Sequence, residues 1–358
     1  MSKLLATAAA ALAISTAAQA GDLVGERHLT TANPTAALRD ADHKPTVRIT
    51  VWYPAADGSV EKSLDLGPPG KPIFYVGEAA PDAAFMDAKR RPVILFSHGY
   101  GGTARMMGWF TTVLAQQGYI VIAVDHPGNN GLDKMTVAGG TMFWDRAGDL
   151  QAALDKVKDD PLIGPHLDTR RLGVAGFSAG GFTALVAAGA RVDVEHFKTF
   201  CAEHPDDGVC KPQLEFPVTQ EQAFAALATP ELAPELAHAG DDHSIRGVRA
   251  AFAMAPAIVQ ALDPASLKAM SVPVAIIVGE ADPVAPPHTN GSVAARNIPR
   301  AQIKGLPAVG HYDFLATCSD QARATVPLCQ ALATPQGPTH FAALQMALNL
   351  FANALGSP

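Results

Sequence analysis

Residues 172–190 read LGVAGFSAGGFTALVAAGA. Leu172 to Phe177 form the short apolar run expected of a buried strand, and the Ala-rich stretch from Ala179 to Ala190 predicts a helix. Between them, Gly176-Phe177-Ser178-Ala179-Gly180, followed by Gly181, matches a sharp strand-to-helix turn that lifts one hydroxyl above the end of a sheet. The demand is steric: small residues such as Gly176 and Gly180 on both flanks let strand and helix approach. Five residues alone would also suit a glycine-rich turn without chemistry. A strand before and a helix after make Ser178 a candidate nucleophile.

Outward from this turn, other short apolar runs predict strands at Thr46 to Tyr53, Ile73 to Val76, Pro92 to Ser97, Ile120 to Val124, Val248 to Met254, Val274 to Val278 and Ala301 to Leu306. Helical patterns fall at Met107 to Gln117, Asp145 to Lys158 and Phe341 to Leu355. Alternation of continuous apolar strands with helices predicts an α/β fold with a mostly parallel central sheet and helices on both faces. The stretch 191–246 breaks the rhythm. It has two cysteines, several prolines and many acidic residues but no strand-like run, and it reads as an excursion with short helices around Glu221 to Leu227 and Glu231 to His238. Loops this long are usually functional or flexible, so a cap over the site is expected, with an inert surface insertion as its rival.

The chain has 358 residues, of which 48% are hydrophobic and 17% charged, so one large domain over 21–358 with a shielded core is expected rather than disorder. A net charge of −7 argues against nucleic-acid binding, which needs a basic face. Residues 1–20 read as an export signal: Lys3, an apolar run from Leu4 to Ile14, then Ala18-Gln19-Ala20 as a cleavage site. That run is shorter than the roughly 20 residues a bilayer requires, so stable membrane insertion is not expected. The mature protein would be periplasmic or secreted. Four cysteines allow three pairings, and local pairing, Cys201 with Cys210 and Cys318 with Cys329, is favoured over free thiols or a zinc site. An exported chain meets an oxidising environment, and no Cys-x-x-Cys spacing is present.

A serine hydroxyl needs a base, and the base needs an orienting carboxylate. After an elbow of this type the acid and then the His follow in the chain. His196, His204, His238 and His243 fall in the excursion, His288 follows the acid candidates too closely and His340 begins the last helix. His311, after Gly310 and beyond the predicted strand at Ala301 to Leu306, remains. For the acid, Asp282 in Gly279-Glu280-Ala281-Asp282-Pro283 lies just past a strand, with Glu280 as competitor; one strand earlier, Ala255-Pro256-Ala257 offers no carboxylate. Negative charge developing on an acyl oxygen calls for preorganised donors. The glycine loop Ser97-His98-Gly99-Tyr100-Gly101-Gly102 offers the Tyr100 N–H beside that of Ala179, with His98 and Gly99 in structural roles.

The set Phe96-Ser97-His98-Gly99-Tyr100-Gly101, Asp125-His126-Pro127-Gly128, Gly176 to Gly181, Gly279-Glu280-Ala281-Asp282 and Gly310-His311 resembles the predicted dienelactone-hydrolase group. That group is related to platelet-activating-factor acetylhydrolases and is similar to bacterial cutinase-like polyesterases. Over most of residues 45–355 the resemblance implies the α/β-hydrolase fold, catalysis without metal or cofactor, and a Ser178–His311–Asp282 triad. The expected activity is hydrolysis of a small-molecule or lipid ester through an acyl-enzyme. An amidase or peptidase with the same triad, and a non-catalytic exported binding protein, are the alternatives. Two departures bear on substrate. Ser178 stands where dienelactone hydrolases proper carry Cys, and Phe177 and Asp282 differ from the acetylhydrolases, which have a His before the nucleophile and an acid one strand earlier.

Overall fold

In chain order the strands are β1 (Val24–Ala32), β2 (Thr46–Pro54), β3 (Lys62–Ser63), β4 (Phe74–Tyr75), β5 (Glu78–Pro81), β6 (Arg91–Ser97), β7 (Ile120–Asp125), β8 (Leu167–Phe177), β9 (Val248–Met254), β10 (Val274–Gly279), β11 (Ala301–Leu306) and β12 (Thr317–Cys318). The structure, a computed structural model, describes residues 23–358. The expected export signal at 1–20 lies outside the described residues. Ten strands form one sheet, β11-β10-β9-β8-β6-β7-β2-β1-β5-β3. From β11 to β7 every neighbouring pair is parallel, while β2 joins β7 and β1 joins β2 antiparallel.

Each central strand divides its side chains between two cores. Val93 and Leu95 of β6, Ile120, Ile122 and Val124 of β7, and Val274, Ile276 and Val278 of β10 face one. Ile94 and Phe96, Val121 and Ala123, and Ala275 and Ile277 face the other. Both faces of these strands are buried, which is why they read as unbroken apolar runs. The first face is covered by helices Arg146–Lys158 and Ala179–Ala187, the second by Gly108–Gln116 and Gln336–Leu355. In the last helix Ala343, Ala347, Phe351 and Leu355 recur every four residues and make the buried stripe.

Three elements differ from the sequence expectation. Strand β1 was not anticipated: it pairs with β2 from Val24 opposite Pro54 to Ala32 opposite Thr46, but past Arg27 its only large aliphatic residue is Leu29. The expected strand Ile73 to Val76 shrinks to β4, which pairs with β12 outside the main sheet. The last helix starts at Gln336, so His340 lies within it rather than at its first turn.

Residues 191–246 contain helices Val194–Glu203, Gln220–Leu227 and Ala233–Ala237, a short 3-10 turn at Gly208–Cys210 and no strand. Asp193 caps the first of these helices by accepting from the His196 N–H. The segment is docked, not free. Gly208 lies so close to the Pro283 and Val284 carbonyls that a side chain there would overlap them, and Thr289 donates to Asp207 at 2.7 Å. Cys201 is bonded to Cys210 and Cys318 to Cys329. Among the described residues no helix is long and apolar enough to cross a membrane.

The two bridges span sequence separations of 9 and 11 residues. Replacing either pair by Ala is expected to lower the unfolding free energy by about 2.5–3 kcal/mol through restored chain entropy. Guanidinium unfolding of the two double variants checks this, and an unchanged midpoint would contradict it.

Candidate active site

Ser178 ends the turn after β8 with φ 56° and ψ −118°, a conformation an L-residue holds only when its surroundings impose it. The surroundings are explicit. The Ser178 N–H donates to the Met254 carbonyl at the end of β9, and the Ser178 carbonyl accepts from Ala257 N–H and from Phe182 N–H in the helix that follows. Gly180 lies so close to the Ser97 carbonyl, and Gly176 to the Gly180 carbonyl, that no side chain fits at either position. Both glycines are therefore required by approach.

The side chains of Ser178, His311 and Asp282 meet at the carboxyl edge of the sheet. Ser178 Oγ is 2.8 Å from His311 Nε2, and His311 Nδ1 is 2.6 Å from Asp282 Oδ2. All three are buried. The other Asp282 oxygen accepts from the N–H groups of Val284 and Ala285, both at 2.8 Å, so the carboxylate cannot swing away from the ring. Its competitor Glu280 is exposed and lies against Gly305. The His311 loop is pinned by Asp313, a residue the sequence reading missed. Its carboxylate accepts from Gly310 N–H at 2.6 Å and from the N–H groups of Ala333 and Thr334.

Tyr100 and Ala179 line the same cavity as Ser178. Behind them lies a polar network that the sequence reading did not assemble. His98 Nδ1–H donates to the Gly99 carbonyl, and its Nε2 accepts from the His126 N–H. Arg146 donates to the His98 carbonyl, to Ser97 Oγ, to Asn129 and to Thr183. Ser97 Oγ is 2.8 Å from His126 Nε2, and His126 Nδ1 is 2.8 Å from Asp149. Asp149 is held by two hydrogen bonds of 2.7 Å from Arg39 and one from Asn33. Despite its burial, the Arg39 and His126 partners keep the Asp149 carboxyl far below the usual range.

Two cavities flank Ser178. The larger, about 110 Å3, is walled by Phe143, Phe197, Phe216, Phe224, Leu227 and Ile258 among others, so residues 191–246 supply much of its lining. The smaller, about 50 Å3, opens between Ser178, His311, Met106, Leu315 and Leu328. Glu215, from the same excursion, stands at the smaller cavity against Gly101, and burial raises its carboxyl above the ordinary value. Among the described residues no cluster of His, Cys, Asp or Glu is arranged to hold a metal.

A parallel sheet with a strained serine turn at its carboxyl edge defines a hydrolase architecture, and the comparisons place the chain within it. The model of the alpha/beta hydrolase family matches residues 93–327, well over half of the chain, which belongs to that family. Over 145 residues, 38% of this chain, it is 29% identical to a dipeptidyl-peptidase 5 of Porphyromonas gingivalis, covering 20% of that protein. Over 104 residues, 28% of this chain, it is 35% identical to a cutinase of Thermobifida alba, covering 31% of that protein. The chain thus spans less than a third of the length of either relative. A ferulic acid esterase from Streptomyces cinnamoneus matches with a TM-score of 0.60 at 19% identity, over 96% of this chain and 92% of that one, which is a likeness of fold. None of these matches singles out the dienelactone-hydrolase or acetylhydrolase groups.

Burial holds several histidines neutral. His126 is pushed down to about 3, His340 to about 4, and His98 well below its ordinary value, with the Arg146 charge adding to the effect at His98 and His126. In the unfolded chain these rings return to the ordinary value of 6.5 and bind protons that the folded chain refuses. Their contribution is complete above that value and is lost as the pH falls, by about 1.4 kcal/mol per pH unit for each ring. Asp125 and Asp145, raised by burial, act in the opposite sense where they titrate. The thermal midpoint is expected to fall steadily from pH 7 to pH 5, and a flat profile would contradict this.

Proposed function

We propose that the chain is an exported carboxylic-ester hydrolase working through an acyl-enzyme. The observation that carries the reading is the unbroken hydrogen-bonded line from Ser178 Oγ through His311 to Asp282, beginning at a strained turn. Ser178 Oγ attacks the acyl carbon as its proton passes to His311 Nε2. The Tyr100 and Ala179 N–H groups receive the carbonyl oxygen as it becomes negative. His311 returns the proton to the departing alcohol oxygen, then takes one from water, whose oxygen attacks the acyl-enzyme; the bond from the acyl carbon to Ser178 Oγ breaks, His311 gives the proton back to Oγ, and the acid is freed. Asp282 holds the Nδ1–H tautomer and stabilises the imidazolium. The esterases among the matched proteins support ester chemistry, and the motif set resembles the dienelactone-hydrolase-like group. Small-molecule or lipid esters are the proposed substrates, and no metal or cofactor enters the steps.

Ser178→Ala or His311→Ala should lower kcat on p-nitrophenyl acetate by about five to six orders of magnitude and Asp282→Asn by about four, with Glu280→Gln close to the parent enzyme. A fluorophosphonate probe should label Ser178. An unlabelled serine, or full activity in Ser178→Ala, would defeat the proposal.

The peptidase relative favours a second reading, in which the same residues cleave an amide. Rates on p-nitrophenyl acetate and a matched anilide decide between them: the ester reading expects the anilide to be slower by orders of magnitude. Export is proposed on the leader at 1–20 and fits the two disulfides. Deleting residues 1–20 should retain the protein in the cytoplasm.

A further inference from the structure

The two cavities at Ser178 differ in which reacting groups they reach. The larger includes Ser178, Ala179 and Tyr100 but not His311; the smaller includes Ser178, Tyr100 and His311 but not Ala179. In ester cleavage the bond from the acyl carbon to the alcohol oxygen breaks, and that oxygen must take a proton from His311 Nε2 as it leaves. The alcohol therefore has to lie on the side where His311 is exposed. The acyl substituent, fixed by the carbonyl oxygen between Tyr100 and Ala179, is directed to the opposite side.

We infer that the ester straddles Ser178, its acyl group in the larger cavity beneath residues 191–246 and its alcohol in the smaller cavity between Met106, His311 and Leu328. The inference rests on the ester-hydrolase reading and assigns the substrate class: esters of an apolar acyl group, of ring or short-chain size, with a compact alcohol. The larger cavity's walls include Phe143, Phe197, Phe216, Val218, Phe224 and Leu227, which bring aromatic and aliphatic surface to the acyl group, with Arg146 and Lys211 as the charged residues of its lining. Apolar cavities of this order hold a group the size of benzene.

Both walls are built features. Val209, next to the Cys201–Cys210 bridge, lines the larger cavity, and Leu328, next to the Cys318–Cys329 bridge, lines the smaller. Each half of the site is thus staked by its own disulfide, and the excursion is held against the loop carrying Asp282 by Gly208.

Two substrate series test the assignment: p-nitrophenyl acetate against hexanoate, which varies the acyl group, and ethyl against 1-naphthyl acetate, which varies the alcohol. Ala223→Trp, filling the larger cavity, should lower kcat/KM for the hexanoate by about tenfold or more while leaving the three acetates within about threefold. Phe224→Ala, enlarging the same cavity, should shift preference toward longer acyl chains. Leu328→Trp should discriminate against the naphthyl alcohol and leave the acyl series unchanged. Stoichiometric fluorophosphonate labelling of each variant shows that its site is intact. If Ala223→Trp and Phe224→Ala act on the alcohol series, or neither series responds to any labelled variant, the assignment is overturned. If the unmodified enzyme cleaves no ester and Ser178 is unlabelled, it is the hydrolase reading itself that fails.

Discussion

Gly180 sits so close to the carbonyl oxygen of Ser97 that no side chain fits between them, and the reactive site depends on that approach. It sets how near the end of β6 comes to the turn after β8, and so how near the Tyr100 loop comes to Ser178. With that spacing fixed, the turn must be tight enough to force Ser178 to positive φ. The strain persists because its neighbours hold it: the end of β9 takes the Ser178 N–H, and Ala257 and Phe182 take its carbonyl. Both β6 and β9 flank β8 in the sheet, so the order of strands is what makes the turn possible.

The loop after β6 is held from behind by buried charge. Arg146 reaches the His98 carbonyl and Ser97 Oγ from the start of its helix, and one turn later Asp149 anchors His126 and Arg39. Buried ion pairs contribute little net stability, because desolvation offsets their attraction, yet breaking one leaves an unmatched charge at a cost of about 3–5 kcal/mol. Such a network suits a loop whose position must be unique more than it suits general stabilisation. It also explains the acid sensitivity expected of the fold, since His98 and His126 must stay neutral for their present hydrogen bonds.

What could be read from the sequence was what is local. The turn at Ser178 is a contiguous pattern, and Asp282 and His311 each follow a strand end, so order along the chain was enough to pick out the residues the fold brings together. The network behind the site was not legible for the opposite reason. Arg39, Ser97 and His126 are single polar residues apart in the chain from one another and from the helix that carries Arg146 and Asp149, and nothing in their spacing announces that they meet. Strand β1 was hidden because Glu26, Arg27, His28, Thr30 and Thr31 put polar side chains on both of its faces in place of aliphatic ones. The helix Val194–Glu203 buries only Val194, Phe197 and Cys201, too narrow a stripe to stand out in a polar, cysteine-bearing stretch. Matches to other proteins reached the family and the fold; the site rests on geometry.

The molecule holds two Ser–His–Asp lines with nearly equal distances, and comparing them shows what composition alone does not confer. Ser97, His126 and Asp149 repeat the arrangement of Ser178, His311 and Asp282 within 0.2 Å at each link. Ser97, however, is the last residue of a regular strand, wholly buried, and its hydroxyl oxygen already accepts from Arg146 while donating to His126. It borders neither cavity at the site. Ser178 differs in being lifted out of its strand by a positive φ, at the junction of two cavities and at the start of a helix whose first N–H groups are unspent. The same three side chains serve as a brace in one place and have the geometry of a reactive centre in the other, and the difference lies in backbone conformation and access.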